Sequence, residues 1–125
     1  MIRYDCTESE PSAPVADLET SNPATHLAER GRGKIDSGAD ISVIPQAWAA
    51  KLRLLPAGLF EVASFDGRTI EKPAYYVNIS MNGFRFELVK VISSRRTNAL
   101  LGRDILNRLK ITLDGKGLKA QISDQ

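Results

Sequence analysis

The chain has 125 residues, the length of one domain, enough for a modest core and too short for two independent ones. Apolar residues make up 42%, which predicts a packed globular unit, and a net charge of +2 argues against both a nucleic-acid partner and an acidic tail. Cys6 is the only cysteine, which excludes an intramolecular disulfide and a paired-cysteine metal site. No apolar run approaches the roughly 20 residues that span a bilayer, and the polar opening MIRYDCTESEP has no signal-peptide core. The expectation is a soluble cytoplasmic protein, or a soluble piece of a longer one, with no membrane partner.

Residues 1–13 read as a polar arm in which Ile2 and Tyr4 alternate like a short strand, and 14–125 as the folded domain. Pro14 to Thr20 is extended, SNPATH supplies turn chemistry, and Leu27 to Ile35 returns as the second arm of a hairpin, with Arg30, Arg32 and Lys34 on one solvated face. After KIDSGAD, the β-branched ISVI predicts a short buried strand. Pro45 suits the first position of a helix, and Trp48 and Leu52 share one face of it. FEVASFDGRTIEKPAYYVNI predicts two strands around Asp66-Gly67, and VNISMNGFRFELVKVI a second hairpin turning at Asn82-Gly83. NALLGRDILNRLK holds an apolar run, a glycine and a short helical pattern. ITLDGKGLKAQI closes the chain as two strands joined at Asp114-Gly115-Lys116-Gly117. The fold class is mainly β with one or two short helices, and no internal repeat is present.

The stretch with chemical content is KIDSGADISVIP. An aspartate in a tight turn after a buried strand can have its carboxylate oriented by neighbouring backbone N–H groups. Ser37 sets a hydroxyl beside Asp36, Gly38 permits a backbone conformation that a side chain would forbid, and Ala39 is small enough for close approach. The pattern suits a carboxylate that activates water or moves a proton. The plainer alternative is an Asx-turn in which Asp36 bonds its own backbone.

Three pieces occur in one order: IDSGADISVIP, a hairpin around FDGRT, and ALLGRDILNRLKITLDG. Together they resemble the retropepsins, the retroviral-type aspartic proteases, and especially their small single-domain bacterial relatives, over about Val15 to Ile122. The resemblance implies a half-barrel acid-protease fold and assigns roles. Asp36 is the catalytic aspartate. Ser37 ties two active-site loops together across a dimer, and Gly38 and Ala39 complete the loop. Asp40 pairs with Arg103 and helps bind the substrate backbone. Leu101 and Gly102, within the LLG run, pack behind the loop. Ser64, Phe65, Asp66, Gly67, Arg68 and Thr69 form the tip of a flap that closes over a peptide.

Such enzymes need two carboxylates sharing one proton, yet this chain has one Asp-Ser/Thr-Gly triplet, since Asp66-Gly67 and Asp114-Gly115 lack the middle residue. The second carboxylate is therefore expected from a second copy in a twofold homodimer. In the family, chain termini interleave at the interface, a place that residues 1–7 and 118–123 would take here. No metal or cofactor is implied.

Lys34 departs from the family, which usually has an apolar residue two before the aspartate. Residues two apart on a strand share a face, so Lys34 is a candidate substrate contact, and a cation there favours an ionised carboxylate pair. It also motivates the alternative of a catalytically inactive peptide-binding or dimerisation module. His26, the only histidine, falls in a loop and reads as surface; Cys6 reads as an incidental thiol. The basic residues Arg95-Arg96 with Arg30, Arg32 and Lys34 read as solvated rather than as a phosphate-binding patch, and Trp48 as core.

Overall fold

The structure is a computed structural model and describes residues 1–7, 11–63 and 66–123. In chain order its elements are β1 (Ile2–Asp5), β2 (Ala13–Ser21), β3 (Ala28–Ile35), β4 (Val43–Pro45), α1 (Gln46–Lys51), β5 (Leu59–Ala63), β6 (Thr69–Met81), β7 (Phe84–Ser94), β8 (Ala99–Leu101), α2 (Arg103–Leu106), β9 (Lys110–Asp114) and β10 (Lys119–Ser123). None of the helices is long and apolar enough to cross a membrane among the described residues.

The described strands run in the order β5-β6-β7-β4-β8-β3-β2-β1-β10-β9, and β6 also pairs with β2. That extra pairing closes β6, β7, β4, β8, β3 and β2 into a ring. A small ring of strands buries its inward residues against one another, so the core consists of side chains at every second strand position. Leu18 from β2, Val77, Ile79 and Met81 from β6, Val89 and Val91 from β7, and Leu101 from β8 are all buried there, closed off by Ile44, Trp48 and Ile105. Each such side chain contributes about 1.5–3 kcal/mol by leaving water. Strand β6 is long enough to serve twice: its first residues pair with β5, outside the ring, and its last with β2 inside it.

The local signals explain most elements. Asn82 and Gly83 both have positive φ, 50° and 83°, the backbone that a two-residue hairpin turn requires and that Asn-Gly adopts most readily. At the last hairpin the left-handed residue is Leu118 (φ 53°) rather than a glycine of the DGKG run, because Asp114 Oδ1 accepts the Gly117 N–H at 2.8 Å and shifts the reversal one residue along. Pro45 ends β4 and caps α1 instead of entering it: its ψ of 142° is extended. The strand expected over ISVI starts only at Val43, since Ile41 and Ser42 remain in the preceding turn.

The opening segment lies in the sheet rather than apart from it. Ile2 is buried in the core, and Arg3 is flanked on both sides, by Val15 of β2 and Lys119 of β10. The basic face of β3 is only partly solvated. Arg30 pairs with Glu19, its cross-strand neighbour, at 3.5 Å, and Arg32 reaches the buried Asp5 at 3.9 Å.

Trp48 stands on α1 and lays its ring across Gly31 of β3. A Cβ at position 31 would lie 2.0 Å from Trp48 Cζ2, so only glycine admits the ring. Gly31→Ala is therefore expected to lower stability by about 1–3 kcal/mol through overpacking. Combining it with Trp48→Phe should cost less than the sum of the single changes, a coupling that a denaturant-unfolding double-mutant cycle measures.

Candidate active site

The KIDSGADISVIP segment owes its shape to strand order. β3 runs parallel to β8 on one side, with Ile35 opposite Leu101, while β4 flanks β8 on the other, with Val43 opposite Leu100. Residues 36–42 therefore cross from one side of β8 to the other over its C-terminal end. Successive hydrogen bonds hold the crossing. The Asp36 N–H donates to Leu101 O at 3.0 Å, the Gly102 N–H to Ser42 Oγ at 3.0 Å, and the Arg103 N–H to Ala39 O at 2.8 Å. Gly102 sits directly beneath. A Cβ there would be 2.9 Å from Ala39 O and from the carbonyl of Ile41, which are backbone atoms that cannot step aside.

Ser42 and Asp104 lock the far end of the turn. The Ser42 hydroxyl donates to Asp104 Oδ1 at 2.7 Å and its N–H to Oδ2 at 3.1 Å, so both carboxylate oxygens are used. Ser42 is 1% exposed, and its oxygen both donates to Asp104 and accepts from Gly102. Neither Ser42 nor Asp104 was singled out in the sequence. The signal was weak: a serine between two β-branched residues is unremarkable until the partner aspartate, far along the chain, is known.

Within this frame Asp36 is half-buried at the head of the turn. Its Oδ1 accepts the Gly38 N–H at 3.0 Å, which is the Asx-turn that the plainer reading anticipated. The other oxygen carries no hydrogen bond among the described residues. The two readings of the motif are thus compatible, since the Asx-turn fixes one oxygen and leaves the second available. Gly38 does not have positive φ, contrary to the role expected for it. What it provides is space, because a Cβ there would press on Asp36 Oδ1 at 3.2 Å. Ser37 is exposed beside Asp36, and its hydroxyl has no hydrogen bond among the described residues.

Asp40 and Arg103 form an ion pair, both side chains well exposed. Leu101 is fully buried under the turn. Lys34 lies half-buried on β3 between Val15 and Leu100, with no ion pair among the described residues, and β3 ends at Ile35, so Asp36 stands just beyond the strand. Asp66, Gly67, Arg68 and Thr69 are exposed at the outer end of the β5–β6 hairpin, where Asp66 Oδ1 accepts the Arg68 N–H at 3.1 Å and Gly67 has φ +82°. Ser64 and Phe65 lie outside the described residues. Alongside Asp40 and Ile41 runs a groove whose walls include Phe60, Val89, Lys90 and Arg108. Sequence reasoning did not find these wall residues, which come from three separate segments.

The remaining candidates stand apart from the turn. His26 is exposed in the β2–β3 loop, and Cys6 is exposed with Ser12 Oγ 2.7 Å from its sulfur. No cluster of metal-ligating side chains occurs among the described residues.

A scan against protein-family models returns no match, and a search of curated proteins returns none. Solved structures do match. A retropepsin-like aspartic protease from Rickettsia conorii superposes over 91% of this chain and 83% of its own, with a TM-score of 0.61 and 16% identity. The EIAV protease, solved with the inhibitor HBY-793, covers 82% of this chain and 90% of its own at a TM-score of 0.56 and 20% identity. The protease of simian foamy virus covers 73% and 91% at 0.53 and 22%. The chain has a retropepsin-like fold.

The buried bonds and the exposed ion pair should differ sharply in worth. Ser42→Ala strands the Gly102 N–H and takes the hydroxyl donor from Asp104 Oδ1, while the backbone N–H groups at 42 and 105 still reach the carboxylate, and an expected loss of about 1–3 kcal/mol follows. Asp40→Ala removes a solvated pair and should cost about 1 kcal/mol or less. Thermal or urea unfolding of the two variants side by side tests this ordering.

Proposed function

We propose that the chain is an aspartic endopeptidase that hydrolyses peptide bonds as a twofold homodimer, with Asp36 of each copy supplying one carboxylate. The observation that carries this reading is the state of Asp36. One oxygen is fixed by the Gly38 N–H, the other is open, and the whole turn is braced from below by β8. A carboxylate held this way is oriented for chemistry before any ligand arrives. The protease neighbours that share the fold support the same reaction class.

The mechanism follows from placing two such groups together. Two carboxylates in contact cannot both be ionised, so they share one proton. The ionised member takes a proton from a water lying between them as that water attacks the carbonyl carbon. The protonated member hydrogen-bonds to the carbonyl oxygen and stabilises the charge that develops there. The resulting tetrahedral centre collapses when the amide nitrogen receives a proton and departs. Water and two carboxylates complete this chemistry, and no cofactor is called for.

The other residues have supporting parts in this proposal. Ser37, exposed and free of intrachain bonds among the described residues, is available to bridge to the second copy's loop. Asp40, steadied by Arg103, offers a carboxylate to the substrate's backbone N–H groups. Lys34 faces the side chains that flank the bond to be cut. The β5–β6 hairpin, with Asp66, Gly67, Arg68 and Thr69 at its outer end, covers the bound peptide.

Asp36→Asn is expected to lower cleavage of a peptide library by at least about 10²–10⁴-fold, the usual share of acid–base catalysis, while leaving the fold and the dimer in place. Cleavage rate and solution mass measured on the same preparations decide the matter. A dimer that binds peptides without cutting, and equally well as the Asn variant, would instead mark the chain as a non-catalytic peptide-binding module.

A further inference from the structure

We infer that the cavity between the β2–β3 loop, the segment after α1 and the outer face of β6 and β7 binds a small amphipathic anion, an apolar chain or ring that ends in a carboxylate. The cavity lies apart from the Asp36 turn and shares one wall residue, Leu88, with the groove beside Asp40. The inference holds whether or not Asp36 catalyses a reaction.

The cavity measures about 330 Å³, within the roughly 300–1,000 Å³ that ligand pockets occupy. Pro23 and Ala24 come to it from the first of these segments, Leu55 and Ala57 from the second, and Tyr76 and Leu88 from the third. Leu55 is 83% exposed and Leu88 63%, so neither serves the core. Single apolar side chains in water are ordinary, but several converging on one concavity mark a surface that gains by being covered.

Two wall positions hold backbone conformations that their side chains do not favour. Leu88 has φ +51° and Arg53 +53°, the left-handed region that few residues other than glycine enter. Leu88 stands where the β6–β7 ladder is irregular, and the buried Asn78 turns its Oδ1 to the Leu88 N–H at 2.9 Å. This bulge leaves both Glu87 and Leu88 exposed between the buried Phe86 and Val89, and so directs the leucine outward. Arg53 follows the last turn of α1, a position usually taken by glycine, and its N–H reaches Ala50 O at 3.1 Å. Side chains held against their backbone preference and away from the core point to a role at the surface.

The polar groups then select the ligand. Asn22 is fully engaged: its Nδ2 donates to Leu52 O at 2.9 Å and its Oδ1 accepts the Ala24 N–H at 2.9 Å. What remain are donors. Arg53 is exposed, has no ion pair among the described residues and is the one charged residue of the walls. The hydroxyls of Thr25 and Tyr76 donate to nothing among the described residues. An apolar ligand body covers the walls, and a carboxylate at its end offers two acceptors to the guanidinium fork. A cationic head would be repelled, and a neutral one would leave the guanidinium unpaired.

Octanoate is the probe, titrated against the whole chain below the concentration at which it forms micelles, with 1-octanol and octylammonium as controls. Octanoate is expected to bind at least about tenfold more tightly than either control, and to shift the backbone amide resonances of Ala24, Arg53 and Leu88. Arg53→Gln should weaken octanoate at least about tenfold by removing a charge-assisted hydrogen bond. Leu88→Asn keeps a residue that tolerates the left-handed backbone, so it should fold as the wild type does, read by circular dichroism. It should still weaken octanoate at least about threefold through lost apolar contact. Controls that bind as tightly as octanoate, or an Arg53→Gln chain that binds it unchanged, overturn the anionic class. No binding by the wild type, unchanged binding by a folded Leu88→Asn chain, or shifts confined to the groove beside Asp40 overturn the site.

Discussion

Everything around Asp36 depends on one steric constraint: a chain must pass over the end of β8 with no room beneath it. Residues 36–42 link strands on opposite sides of β8, and the crossing lies so close that only a residue without a Cβ fits at position 102. Close approach alone would leave buried polar groups unpaired, which is expensive. Here it does the reverse. The N–H groups of Asp36, Gly102 and Arg103 all find acceptors across the crossing, and Ser42 and Asp104 satisfy each other at its far end. The turn is thus defined from below by packing and hydrogen bonding, and its upper surface, where Asp36 and Ser37 lie, is left for other partners.

This arrangement separates structural from functional electrostatics. The carboxylate of Asp104 is consumed by Ser42 and holds the turn's shape. The Asp40–Arg103 pair lies in solvent, where its contribution to stability is small. Asp36 itself is intermediate between the two, with one oxygen bound into the turn and the other open.

Much of the fold was legible because short-range signals agreed with the final structure. The Asn82-Gly83 dipeptide takes the positive φ values that such a turn needs, and the strands on either side of it, β6 and β7, pair antiparallel as the hairpin signal predicts. The aspartate motif was legible for the same reason, since Asp36 and Gly38 act on each other two residues apart. What could not be read were features created by strand order. Nothing local links Ser42 to Asp104, or Trp48 to Gly31. Nor does local sequence reveal that β1 is enclosed on both sides, so that a stretch reading as a polar arm contributes Ile2 to the core. Gly38 shows the subtler limit: a glycine was expected there for its backbone freedom, and it is needed for the space it leaves beside a carboxylate.

Strand β6 joins two regions of different stability in one continuous ladder. Of its later residues, Ala74, Val77, Asn78, Ile79 and Met81 are buried, while Thr69 to Glu71 are exposed beside β5. Between them stands Pro73, which brings no N–H to the ladder. Opening the outer part therefore breaks few buried contacts, whereas releasing the inner part requires the ring itself to come apart. The strand behaves as a beam anchored at one end, with the proline near the point where it emerges. Opening at the outer residues of β6 therefore leaves intact the ring from which the chain leaves β3 to enter the Asp36 turn.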